Sequence, residues 1–399
     1  MKKRSLVGML GINSCWNVMV LFISVFLVAR VFVLSDYNIT SVALFLLMDC
    51  TALFVFYLIS TTLSKKIPCV WLTRLATLSA CIFILLTILL PDGLKNHYML
   101  FGLLWGMTAG THWGSLNFLT SNVLSKAKAF SYYVYIFVLL AIVGILFPFT
   151  FGFAIDYGNW VITSSFVLGV GILQLFFSFL VKPEKQETPQ DKKLHFVNYF
   201  KVIKSNGHMR HSVILWCAIA CMSSTYLLSA IMTILIFTVY GSNMSLGVMG
   251  SIFAAIGIVF IIMYKNSKPA FKSAMFWTSA ITPLLVSIIL YFYIGPWSII
   301  VFNGAIVCRN ISEIESNPAR MNATKLKGCE MYSAESLMIY ECAYYTGRWI
   351  TCGLLLIAGL FQSVTILLPI MISVILFAYF TYSILISFYK KSYEKVLTS

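Results

Sequence analysis

Lys182-Pro183-Glu184-Lys185-Gln186-Glu187-Thr188-Pro189-Gln190-Asp191-Lys192-Lys193 stands near the middle of the 399-residue chain and resembles nothing on either side of it. It holds four lysines, three acids and two prolines, so it has no apolar face to bury and stays solvated. Working outward, the sequence turns apolar in both directions. A membrane-spanning helix needs about 20 mostly apolar residues. Upstream, runs of that length fall at 6–33, 40–63, 70–90, 98–123, 130–154 and 160–181. Downstream they fall at 213–240, 245–264, 272–292, 295–311, 337–360 and 364–389, with a short turn at Phe361-Gln362-Ser363 between the last two. The expectation is an all-α membrane protein of about twelve transmembrane helices in two six-helix halves. Residues 1–181 form the first half, 182–212 a polar linker and 213–399 the second half. Within the linker, Leu194 to Lys204 reads as a short amphipathic helix on the membrane surface.

Composition points the same way. Hydrophobic residues are 60% of the chain and charged residues 10%, whereas a soluble domain is about 45–50% apolar and about 25% charged. The net charge of +15 would suggest nucleic acid in a soluble protein. Here no basic stripe with interleaved aromatics lies outside the apolar runs, so no nucleic-acid partner is expected. The partner is the lipid bilayer. Most of the ten cysteines sit inside apolar runs and read as small buried hydrophobes. Met1-Lys2-Lys3-Arg4 followed by a run reaching Val33 is too long for a signal h-region and reads as a retained first helix.

The positive charges set the orientation. With the N-terminus and linker in the cytoplasm, 25 of the 28 Lys and Arg fall in cytoplasmic segments or at cytoplasmic helix ends. Lys95 alone is external, and Arg30 and Arg348 lie inside helices. A wrong crossing count would scatter these charges to both sides. The expected localisation is therefore the cell membrane, multi-pass, with both termini cytoplasmic.

Ionisable groups inside a bilayer are costly, and each needs a reason. Arg30 lies near the outer end of the first span and Asp49 near the middle of the second. They could pair with one another, or one could face a cavity. Glu341 and Arg348 lie seven apart on the eleventh span, hence on one face, with Tyr345 between them. A desolvated carboxylate can take up and release a proton, and an arginine can hold an anionic group. The fourth span carries Gly102, Gly106, Gly110 and Gly114, each four apart, a row that admits close helix packing. His112 and Asn117 lie beside that row. His112 suits either a hydrogen-bonded structural role or a proton relay. Asn13 and Asn17 on the first span either line a cavity or bond a neighbouring helix. A loop at 312–336 is either an insertion or a gate element.

The chain has no Walker loop, no H-E-x-x-H and no G-x-S-x-G elbow, so no enzyme, cofactor or metal site is expected.

Two six-helix halves around a central cytoplasmic linker resemble the major facilitator superfamily, over nearly the whole chain. The family's acidic and basic loop after the second span, G-x-L-x-D-R-x-G-R, is here Thr61-Thr62-Leu63-Ser64-Lys65-Lys66-Ile67-Pro68, which keeps two basic residues and loses the glycines and aspartate. The fifth span carries Gly144-Ile145-Leu146-Phe147-Pro148-Phe149-Thr150-Phe151-Gly152, similar to the family's glycine-proline antiporter motif. The long loop before Glu341 and Gly347-Arg348 is similar to the YQGE type of bacterial transporters. The resemblance implies a secondary active transporter that moves a small-molecule substrate by alternating access, with protons as the coupling partner and export as the direction. It places the site between the two halves near the midplane. The alternative is a non-transporting polytopic protein, a sensor or partner subunit.

Overall fold

The computed structural model describes residues 3–123, 126–183, 193–205, 207–222, 226–309, 311, 332–360 and 364–398. Among the described residues every regular element is helical. The first rod is α1 (Arg4–Leu34), with a π-helical turn at Phe22–Leu27. It is followed by α2 (Ile39–Leu63), α3 (Cys69–Leu89) and α4 (Gly93–Val123). Next come α5 (Lys126–Phe153), extended by a π turn at Ala154–Gly158, and α6 (Trp160–Leu180). The short α7 (Phe196–Ser205) lies in the linker. Then follow α8 (Gly207–Met222), α9 (Tyr226–Tyr240), α10 (Asn243–Asn266) and α11 (Pro269–Phe292). The last three are α12 (Pro296–Cys308), α13 (Ser333–Leu360) and α14 (Val364–Thr398). With α7 set aside and α8 and α9 sharing the seventh expected run, these match the twelve runs of the sequence.

Local chemistry fixes the helix starts. The Asn38 side chain accepts the Thr40 N–H (2.8 Å) and the Asn159 side chain accepts the Ile162 N–H (2.8 Å), each satisfying a donor that a first helical turn leaves open. Pro269 and Pro296 occupy first turns, where a missing N–H costs nothing. The start of α10 is capped from another element. Asp156, in the π turn after α5, accepts from the Asn243 N–H (3.3 Å), the Asn243 side chain (2.8 Å) and the Met244 N–H (2.7 Å). A carboxylate at a helix N-terminus also meets the favourable end of the dipole.

The distribution of side chains on α3 shows the solvent. Trp71, Leu75, Leu78, Ile82, Leu85 and Leu89 recur at three- and four-residue steps and are all exposed. The other face buries Leu72, Ala76 and Ala80 together with Thr73, Thr77 and Thr87. Large apolar groups outside and hydroxyls inside would be the wrong arrangement in water. Hydrocarbon makes it the right one, and the threonines close their hydrogen bonds within the helix, as Thr73 Oγ1 does on the Cys69 carbonyl (3.0 Å). The chain is a multi-pass membrane protein. Among the described residues eight helical segments are long and apolar enough to cross a bilayer. Neither α4 nor α13 is among the eight, although both are long enough.

The chain forms two compact units. One comprises residues 1–192 and 236–255, the other 193–235 and 256–399. In the first, α4 lies along α2 and α3, and α6 along α1 and α3. In the second, α8 packs on α13 and α14. Its core is aromatic: Trp216, Tyr264, Phe276, Tyr340, Tyr379, Tyr382 and Tyr389 gather in one cluster.

Several boundaries differ from the sequence reading, these among them. The helix expected at 337–360 begins at Ser333, which draws Glu335 into its first turn. The fourth starts at Gly93, not 98, with non-helical backbone at His97. The surface helix expected over 194–204 spans Phe196–Ser205. The loop residues 312–331, the polar core of the linker at 184–192 and the turn at 361–363 lie outside the described residues.

Candidate functional site

Helix α13 of the second unit carries several polar and ionisable groups, Glu335, Glu341 and Arg348 among them. Glu341 is buried, with 4% of its surface exposed. Two turns on, Arg348 folds back along its own helix. Its Nη2 donates to the Tyr344 hydroxyl (3.0 Å) and its Nη1 to the Tyr345 hydroxyl (3.2 Å). The guanidinium carbon also lies 4.3 Å from the Tyr344 ring centroid and 4.8 Å from that of Tyr345. These contacts follow from helix geometry, because long side chains lean toward the N-terminus and so meet residues three and four earlier. The two tyrosines stabilise the cation through ring faces and phenol oxygens, each cation–π contact being worth about 0.5–2 kcal/mol. Tyr345 is buried and Tyr344 half-buried. One layer nearer the helix start, Tyr340 stacks on Tyr344 (6.2 Å) and meets Trp216 of α8 (4.7 Å). The arrangement fixes a forked cation beside a phenol pair, on the face that also carries a buried carboxyl. Such a set can hold an anionic group and move a proton.

Glu335 is a further buried carboxyl on this helix, fully shielded, whose Oε1 accepts the His195 N–H (2.9 Å). The sequence reading placed it in a loop. Its signal was an acid two residues after Ser333 and just ahead of an apolar run, as suits a helix N-terminus.

The first unit treats its polar groups differently. The Arg30 Nη2 donates to the Pro91 carbonyl (3.2 Å) and its guanidinium lies 4.7 Å from the Trp160 ring centroid. It joins α1 to the turn before α4 and to α6. Asp49 is buried on α2, and its main-chain oxygen faces Gly106. That contact belongs to a regular seam. A Cβ on Gly102, Gly106, Gly110 or Gly114 would meet the carbonyl oxygen of Phe45, Asp49, Leu53 or Tyr57 in turn. Both series step by four, so one helix lies lengthwise against the backbone of the other.

His112 is fully buried on α4. Its ring stacks on Trp16 of α1 at 3.7 Å and 11°, and Trp16 stacks in turn on Trp105 at 5.2 Å. Among the described residues neither ring nitrogen of His112 has a hydrogen-bond partner, nor does Trp16 Nε1. Nearby, the Asn117 side chain donates to the Tyr57 hydroxyl (3.3 Å). On α1, the Asn17 side chain donates to the Asn13 carbonyl (2.7 Å) and to its Oδ1 (2.6 Å), and Asn13 donates to the Tyr132 hydroxyl of α5 (3.3 Å). Asn13 thereby bonds a neighbouring helix. Gly144, Pro148 and Gly152 of α5 lie along the first half of α10: a Cβ on Gly152 would meet the Asn243 carbonyl, and one on Gly247 the Pro148 carbonyl.

No protein-family model matches the sequence, and no curated protein matches it either. Solved structures do. The POT family transporter PepTSo superimposes with a TM-score of 0.70 at 8% identity, over 99% of both chains. The nucleoside transporter NupG gives 0.60 at 13% identity, over 98% of this chain and 99% of its own. The human organic anion transporter MFSD10 (TETRAN) gives 0.61 at 12% identity, over 96% of this chain and 99% of its own. The chain shares the fold of these three transporters along nearly its whole length.

Proposed function

We propose that the chain is a secondary active transporter of a small molecule, working by alternating access, with α13 as the helix that binds substrate and couples transport to protons. The observation that carries this reading is the presence, on one face of α13, of buried Glu341 and the Tyr-clasped Arg348 in a fold shared with three solved transporters. Arg348 suits an anionic group, because a guanidinium presents a planar fork of donors to a carboxylate or phosphate. The substrate class proposed is therefore an anionic small molecule. The structural neighbours are named for different cargoes, nucleosides and organic anions among them, so fold alone does not choose. Export is the proposed direction, supported by the likeness of Gly144 to Gly152 to the antiporter motif. His112, Asn117 and Asp49 are proposed as secondary polar groups of the first unit, and Arg30 and the Asn13–Asn17 pair as positioning residues.

The proposed orientation has both termini and the linker in the cytoplasm. In a cysteine-less background, an impermeant thiol reagent applied to intact cells should label a cysteine at Asn96 and spare one at Gln190; the reverse pattern would overturn the orientation. Transport itself is tested in proteoliposomes with an imposed pH gradient and a panel of anionic and neutral small molecules. Gradient-dependent accumulation of at least one anion is expected, and accumulation of neutral compounds alone would remove Arg348 from the site.

A further inference from the structure

The linker helix α7 leaves a face uncovered. Tyr199 and Ile203, one turn apart, are buried against Met209, Val213, Tyr332 and Ile339. The cap of α7 is held as well, since the His195 N–H just before it is bound by the shielded Glu335 carboxylate of α13. The helix is thus anchored on one side. On the other side Val197 is 68% exposed and Phe200 52% exposed, and Lys201 and Lys204 are exposed beside them. Positions 197, 200, 201 and 204 recur at the spacing of a single helix face. That face combines two apolar side chains with two cations, and residues 193–211 contain no Asp or Glu at all while adding Lys193 and Arg210. One residue after α7, the chain enters α8, whose apolar run Met209–Met222 continues the second unit.

We infer that this face of α7 docks on an anionic phospholipid surface. Val197 and Phe200 enter the headgroup–acyl boundary and Lys201 and Lys204 meet lipid phosphates. Charge complementarity selects this occupant: a neutral apolar partner would leave two ammonium groups unserved, whereas a leaflet of anionic lipids satisfies both halves of the face. Lysine stems cover apolar surface while their heads reach the phosphates. The inference needs the membrane assignment but not the transport reading, and its test measures no transport.

The experiment is backbone hydrogen exchange on the full-length protein in nanodiscs of phosphatidylcholine alone, and in nanodiscs with roughly one-third phosphatidylglycerol. The amides of Phe196–Ser205 should exchange about tenfold more slowly in the anionic discs. The double variant Lys201→Gln/Lys204→Gln changes only exposed side chains, so it should fold normally and lose the difference between the two lipids. Phe200→Ser should raise exchange in both. Equal exchange of the native protein in the two discs overturns the inference, as does a phosphatidylglycerol effect that survives in the double variant. Protection that depends on protein concentration and not on lipid charge would assign the face to a second copy of the chain instead, and would also overturn it.

Discussion

Helices α4 and α13 are the two long helices that fall short of the apolar character of a membrane span, and they do so for opposite reasons. In α4 the hydrophobicity is diluted by glycine, four of them in a row that faces the α2 backbone. Removing side chains lets two main chains approach, and the close contact replaces what the missing side chains would have contributed. In α13 the dilution comes from ionisable and phenolic groups: Glu335, Glu341, Tyr344, Tyr345 and Arg348. Here large side chains enclose charges that would otherwise be stranded in hydrocarbon. A polar reading on a hydropathy scale therefore has two meanings in this protein, a glycine packing seam in one helix and enclosed ionisable groups in the other.

Substitutions can separate the two. The largest effect on folding is expected in the seam. Gly110→Leu would drive a side chain against the Leu53 carbonyl and the Tyr57 main chain, where neither neighbour is a flexible side-chain end. Overpacking of this kind costs about 3 kcal/mol or more, so folded yield and melting temperature in detergent should both fall. An unchanged melting temperature would break the comparison by making the row dispensable.

Arg348→Lys should act on binding and leave the melting temperature close to native. Lysine keeps the charge and loses the fork that reaches two phenols at once. Loss of one charged hydrogen bond is worth about 1.5–3 kcal/mol, and roughly tenfold or greater weakening of substrate binding is expected. A melting temperature that drops as far as that of Gly110→Leu would make α13 a second packing seam. Tyr344→Phe is the smallest change of the series. It keeps the ring under the guanidinium and deletes the acceptor of Nη2 while Tyr345 still accepts from Nη1, so a weakening of binding of roughly fivefold is expected, smaller than for Arg348→Lys. Binding isotherms on the purified variants would rank the two.

The all-helical membrane fold is legible in the sequence, because membrane spans are written in composition. Glu341 and Arg348 are legible as candidates, since an acid and a base in an apolar run stand out locally. Contacts between distant helices were not legible. Nothing in the sequence brings Trp16 onto His112, which lie on the first and fourth spans, or Asp156 onto the start of α10. Arg30 and Asp49 sit on consecutive spans, which makes a mutual pair a natural reading of the sequence; the contacts of Arg30 with the Pro91 carbonyl and the Trp160 ring involve residues far along the chain and are not legible there. Glu335 was missed for a different reason. The apolar run begins after it, while the helix begins before it, and hydropathy detects the run.

The account turns on Glu341 as the group that takes up and releases the coupling proton. Gln keeps its size and a polar head and cannot ionise. In proteoliposomes with an imposed pH gradient, Glu341→Gln should lose net accumulation of a substrate that the native protein concentrates. Exchange of labelled for unlabelled substrate across the same vesicles, which needs binding but no net proton movement, should be retained in part. Gradient-driven accumulation by Glu341→Gln with the native pH dependence would contradict the account, and would move the proton to Asp49 on α2.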